Sequence, residues 1–199
     1  MLFARYCAAR GLLDAHEVLA GVGWLVRTVL GRIDEQAVAD AKRTALRFQM
    51  RVGERRASEL LDRCFTEVLW PRRRADILRE LARRQQLGTV HLVTANLRNF
   101  ALRWGGVLGI PPEQCHGAEG ARVRDALTGA LLGPVPIGKQ RARWIDEVCG
   151  RGPARPRSAA YGDSVFDVPM LGLVDEPCAV YPSVSLRSVA RNAGWRIIG

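Results

Sequence analysis

The hydrophobic pattern of this 199-residue chain changes period once, near Gly88, and no other feature constrains its fold as tightly. Upstream of that point apolar residues recur at helical spacing and no strand pattern intervenes. Asp14 and Glu17 stand in capping-box spacing at the start of "LLDAHEVLAGVGWLVRTVL", with Asp in place of the usual Ser or Thr. "DEQAVADAKRTALRFQM" starts from Asp34, and "RASELLDRCFTEVLW" sets Leu60, Leu61, Cys64, Phe65 and Val68 on a helical period. "RADILRELARRQQLG" is a further helix that ends at Gly88, and "WPRRR" at 70–74 reads as a solvated helix start with Pro71 near its first turn.

Downstream, the short β-branched run "TVHLVTAN" opens an alternation of strands and helices. The pattern predicts a helix over "NFALRWGGVLGI" ending around Gly105 and Gly106, and a weak strand at "EQCHGAE". A hairpin-like excursion follows over "ARVRDALTGALLG", with its turn at "LTG". Next come a helix at "GKQRARWIDEVCG", a basic Gly/Pro loop at "GRGPARPR", a strand at "SAAYG" and a helix at "VPMLGLV". A strand at "CAVYP" and a terminal helix at "SVSLRSVARNAG" close the chain. Alternation of this kind predicts an α/β fold with a doubly wound, Rossmann-like parallel sheet.

Composition narrows the class. With 48% hydrophobic and 25% charged residues the chain reads as globular, and its longest apolar stretch is cut by Arg27, so no transmembrane segment is expected. The N-terminus lacks the apolar length of a signal peptide. Five cysteines without a close pair predict neither a disulfide framework nor a zinc site, and point to the reducing cytoplasm. The net charge of +10 invites nucleic acid or an anionic surface as a partner. The positive residues are spread out, however, and nearly all are arginine, Lys42 and Lys139 being the only lysines. No recognition motif accompanies them, so no specific nucleic-acid partner is expected. His16, His91 and His116 form no nucleophile arrangement, and His91 is expected inside the apolar strand, buried or at an edge.

Ligands of doubly wound sheets bind beyond the carboxyl ends of the strands. "VHLVTAN" delivers Thr94 and Asn96 there, "SAAYGDSVFD" delivers Asp163 and Asp167, and "PIGKQR" offers Lys139 at a helix N-terminus. A hydroxyl, an ammonium and two carboxylates on one rim suit a phosphate ester with Mg²⁺, which prefers hard oxygen ligands and takes one or two carboxylates from protein. Each residue also has a plain structural reading: Thr94 as a strand-end residue, Lys139 as a solvated lysine, Asp163 as a helix cap. Their order and spacing together favour the chemical one.

"GDSVFDVPML" resembles the fourth motif of the haloacid dehalogenase superfamily, in the branch that includes phosphoserine phosphatase. "LVTAN" is similar to the second motif, with Thr94 in the hydroxyl position, and the stretch around "PIGKQRARWIDEV" is similar to the approach to the third, with Lys139 as its lysine. The tail "DEPCAVYPSVSLRSVARNAGWRII" and the opening "RYCAARGLL" are also similar to that branch. The resemblance implies a helical cap over residues 1–75 and a Rossmann-like core over 76–199. It implies a Mg²⁺-dependent phosphomonoester hydrolase acting on a small phosphorylated metabolite. Thr94, Lys139 and Asp167 are then the catalytic set, Thr94, Ala95, Asn96 and Lys139 the substrate contacts, and Asp163 the metal ligand. Asp167 is expected to support the metal shell or to orient Lys139.

The family's first motif, an apolar strand ending in Asp-x-Asp, supplies the attacking carboxylate. Nowhere in this chain do two aspartates stand two apart. The family's first strand, central in the sheet, is therefore expected to be missing, either because the natural protein starts upstream of Met1 or because the chain is a marginal fragment. No meaningful phosphatase activity is expected of the 199 residues alone. The alternatives are a non-catalytic phosphate- or partner-binding pseudoenzyme and a basic nucleic-acid or anionic-surface binder.

Overall fold

The computed structural model describes residues 2–149 and 157–199, so most of the basic loop expected at "GRGPARPR" lies outside the described residues. Two compact units divide the chain, Met1–Val135 and Pro136–Gly199.

The first unit begins with α1 (Leu2–Ala8), α2 (Ala15–Val29), α3 (Glu35–Val52) and α4 (Glu54–Cys64). The α2 start is the expected capping box: Asp14 accepts from the Glu17 N–H and Glu17 accepts from the Asp14 N–H. Asp34 caps α3 through the Ala37 N–H. A π turn over Phe65–Leu69 and a 3-10 turn over Trp70–Arg72 prolong α4, and α5 (Ala75–Leu87) starts after them. The "WPRRR" stretch therefore closes one helix instead of opening the next, because Arg73 is extended and interrupts the helical run. Tyr6, Cys7, Phe48, Ala57 and Cys64 form the buried cluster that joins α1, α3 and α4. Both cysteines act as small apolar side chains there.

Strand β1 (Leu92–Leu97) follows, then α6 (Arg98–Leu108) and β2 (Cys115–Ala118), which pairs with β1 in parallel. His91 stands one residue before β1, half-buried, with its Nδ1 3.3 Å from His116 Nε2. Helix α6 runs through Gly105 and Gly106, where the sequence predicts its end, and stops at the left-handed Gly109. Packing explains why a glycine lies inside the helix: a Cβ on Gly105 would overlap the Cys115 sulfur and stand 3.0 Å from the Ile110 carbonyl oxygen. The hairpin β3 (Gly120–Val123) and β4 (Ala126–Leu131) is present, but its turn is Arg124–Asp125 and not "LTG". Both turn residues have positive φ, as a two-residue turn matched to strand twist requires, and the aspartate tolerates that conformation.

The second unit alternates α7 (Lys139–Cys149), β5 (Ala159–Gly162), α8 (Val168–Leu171), β6 (Glu176–Val180), α9 (Val184–Asn192) and β7 (Arg196–Ile198). Its sheet is parallel in the order β5-β6-β7, and the last strand, short and ending the chain, is absent from the sequence expectation. Ile145, Ala160, Met170, Leu171, Ala179, Leu186 and Ala190 form its core. Parallel pairing and helical crossovers give the expected α/β Rossmann-like class. Among the described residues β1 pairs only with β2, and β5 only with β6.

Neighbouring glycines of α6 should respond in opposite ways to alanine. A methyl group on Gly106 would meet nothing within 4 Å, so Gly106→Ala should stabilise by roughly 0.5–1 kcal/mol through helix propensity. Gly105→Ala gains the same propensity but overpacks a fully buried sulfur, for a net loss of about 1–2 kcal/mol. Urea unfolding of both variants checks the pair.

Candidate functional site

Residues singled out in the sequence fall into two groups, Thr94, Ala95 and Asn96 in the first unit and Lys139, Asp163 and Asp167 in the second. Each group has its own local architecture.

In the second unit, β5 ends at Gly162 and the chain turns through Asp163 and Ser164 into a 3-10 turn over Val165–Asp167. Asp167 is 2% exposed and builds this turn. Its Oδ2 accepts from the Asp163 N–H at 2.9 Å, the Ser164 N–H at 3.0 Å and the Ser164 hydroxyl at 3.3 Å. Its Oδ1 is held by Arg141 of α7, itself 12% exposed on its side chain. Gly162 is required by the same packing, since a Cβ there would stand 2.5 Å from the Asp167 Cβ. The cap of the turn is thus Ser164 with Asp167, and the Asp163 side chain is exposed at the carboxyl end of β5. The Asp163 carbonyl accepts the Ser183 N–H at 2.8 Å, which ties the turn to the start of α9.

Both oxygens of Asp167 are therefore engaged by protein donors, which suits a carboxylate that shapes the turn rather than one that ligates a cation. Asp163 offers a single exposed hard-oxygen group, which fits Mg²⁺ as the one protein carboxylate of a site completed by water and substrate. No group of three or more metal-ligating side chains occurs among the described residues. Lys139 is exposed in the first turn of α7 and has no hydrogen bond or ion pair to the described residues. Arg141, which the sequence pattern does not single out, is the cation that meets Asp167. Its signal is the i, i+2 offset from Lys139 in "GKQR", which is passed over when the lysine is taken as the centre.

In the first unit, the β1–β2 ladder pairs Val93 with His116 and then Leu97 with Ala118, so four residues of β1 advance against two of β2. Thr94, Ala95 and Asn96 fall in that irregularity. Thr94 Oγ1 accepts the Asn96 N–H at 3.1 Å, which holds the bulge closed. Gly117 accommodates it: a Cβ there would lie 2.7 Å from the Asn96 carbonyl oxygen. Asn96 Oδ1 in turn accepts from Lys42 Nζ of α3 at 2.8 Å. Burial without a carboxylate partner pushes the Lys42 ammonium down to about 8. In the sequence Lys42 stands out only as one of two lysines; its contact with a strand end 54 residues away has no local signal.

A family model of haloacid dehalogenase-like hydrolases matches residues 1–172. Phosphoserine phosphatase SerB1 of Mycobacterium tuberculosis is 32% identical over 208 residues, a match covering 98% of this chain and 64% of that protein. A Mycobacterium leprae protein described as a hydrolase is 31% identical over 205 residues, covering 98% and 65%. The chain thus spans a little under two thirds of the length of these relatives. A structure of a protein of unknown function from Bordetella pertussis superposes with a TM-score of 0.80 at 21% identity, covering 100% of this chain and 90% of that one. An unliganded structure described as a phosphoserine phosphatase of Vibrio cholerae gives a TM-score of 0.59 at 15% identity, covering 94% and 53%. At these identities the two structures show a shared fold.

Two outcomes are expected of the site residues. Asp167→Ala should destabilise the chain by about 3–5 kcal/mol in urea unfolding, because it strands a buried guanidinium and two turn amides, and Asp167→Leu combined with Arg141→Met should recover part of the loss. In a titration of ¹³C-methylated lysines, one of the two resonances should move with a midpoint near 8 and vanish in Lys42→Met. Since the folded value lies below the ordinary 10.5, the unfolded chain binds more protons between the two, and stability should rise with pH across that window.

Proposed function

Because the chain belongs to the haloacid dehalogenase-like hydrolase family, we propose that its two strand-end groups are the phosphate-handling residues of a phosphoserine-phosphatase-like phosphomonoester hydrolase. The observation that carries this reading is the turn after β5, where a buried Asp167 fixes the backbone and leaves the Asp163 carboxylate exposed at the end of a parallel strand. That is the end of the strand at which α/β sheets bind ligands. The substrate would be a small phosphorylated metabolite, met in a reducing cytoplasm that suits the buried free thiols of Cys7, Cys64, Cys115 and Cys178.

Asp163 would hold Mg²⁺, which when bound offsets charge on phosphoryl oxygens. Thr94 would present its hydroxyl, Ala95 its bulged backbone, and Asn96, whose N–H is held by Thr94 Oγ1, its side-chain amide N–H groups to phosphoryl oxygens. Lys139, a compact point charge on an exposed helix start, would neutralise a further oxygen. Asp167 would act through the turn and through Arg141, holding Asp163 in place. Residues 1–75 would serve as the helical cap over a core of 76–199, with the Lys42–Asn96 hydrogen bond joining α3 to the strand-end residues.

The family reaction begins with attack by a carboxylate from an Asp-x-Asp strand, and no such pair occurs in the 199 residues. The chain by itself should therefore bind phosphate without hydrolysing esters. With p-nitrophenyl phosphate and Mg²⁺, purified protein should show no turnover above background. Calorimetry should detect Mg²⁺-dependent binding of inorganic phosphate, weakened at least tenfold by Asp163→Asn and by Thr94→Ala. Turnover abolished by Asp163→Ala would contradict the inactivity; phosphate affinity indifferent to both substitutions would remove the site.

A further inference from the structure

Helix α2 is turned inside out. Its one buried residue is Glu17, and its outward residues are aliphatic. Glu17 faces the unit's interior, where Arg51 of α3 donates to both of its oxygens, at 3.2 and 2.5 Å, and also to the Leu12 carbonyl at 2.7 Å. Ala20 and Trp24, three and seven residues further on, are half-buried on the same side. On the opposite side Val18, Leu19, Val22, Leu25, Val26 and Val29 are each between 47 and 78% exposed. At 3.6 residues per turn these six cover an arc of about 120°, as broad as the stripe by which a helix ordinarily packs on a core.

Isolated exposed aliphatics are common, but a continuous stripe along the whole length of one helix marks an interaction surface. Charge selects its occupant. No acid lies on the outward face, since Glu17 is committed to Arg51, and the strongly charged residue left exposed on the helix is Arg27. The chain carries a net charge of +10, so a second copy would approach against repulsion, whereas an anionic surface would attract it. A helix of this length and sequence cannot cross a bilayer; none of the described helices is long and apolar enough. It can lie in the interface, with its aliphatic arc among the acyl chains and its Glu17 side on the protein. We propose that α2 is an interfacial helix that docks this protein onto anionic lipid membranes.

Sedimentation of the 199-residue chain with vesicles of phosphatidylcholine alone, or with about 30% phosphatidylglycerol, tests this. Binding should need the anionic lipid, and the double variant Val22→Asp and Leu25→Asp should lower the partition coefficient at least tenfold while circular dichroism stays unchanged. The single variant Leu25→Trp should bind as before and shift its emission to the blue on binding. Failure of the parent chain to bind would overturn the proposal. So would binding that ignores the aspartate substitutions, which would assign it to scattered arginines alone. A dimer in lipid-free buffer that those substitutions disperse would give the face to a second copy and overturn it as well.

Discussion

Asp167 organises the second unit because a carboxylate buried to 2% exposure must be fully engaged or it would unfold what surrounds it. Three donors from the adjacent turn and one guanidinium from α7 meet that demand, and each fixes something different. The amides of Asp163 and Ser164 set the path of the chain after β5. Arg141 ties that path to the helix that begins at Lys139. Glycine at 162 is a consequence of the same contact, as the carboxylate's Cβ occupies the space a side chain would need. The sequence "GDSVFD" is thus one structural unit, in which Asp167 is buried and Asp163 is an exposed residue.

A parallel economy governs the first unit. The β1 bulge lengthens the strand end by two residues relative to β2, and both Thr94 and Gly117 serve it, one by a hydrogen bond and one by having no side chain. Lys42 then reaches the end of the bulge from α3. The contact places an ammonium in a site that lowers its proton affinity without an acid to restore it, so any anion arriving there would meet a group short of a counter-charge.

What can be read in the sequence is what local physics determines. Capping at Asp14 and Asp34, the helix stop at Gly88, and the strand-to-turn passage at Asp163 are set within a few residues. The misplaced features depend on distant partners. Gly105 looks like a helix end because glycine usually is one, and only the Cys115 sulfur ten residues on explains its place inside α6. The glycine of "LTG" attracts the hairpin turn for a similar reason, although Arg124 and Asp125 adopt positive φ and Gly129 lies within β4. Arg141 and Lys42 are invisible as site neighbours because their partners lie 26 and 54 residues away.

The basic composition also divides by role. Of 30 basic residues two are lysine, and the bridges that join separate elements belong to arginine: Arg51 to Glu17, Arg10 to Glu67, Arg122 to Glu54 and Arg141 to Asp167. The guanidinium's fixed fork can satisfy a carboxylate and a carbonyl together, as Arg51 does with Glu17 and Leu12. Most of these bridges are half-exposed and each adds little to stability, but the buried ends, Glu17 and Asp167, depend on theirs. Neither lysine takes part in an ion pair among the described residues. One stands at the strand-end bulge and the other opens α7, two residues before the arginine that fixes the turn. Arginine thus carries the ion pairs between elements, while one lysine is held by an uncharged amide oxygen and the other is left exposed at a helix start.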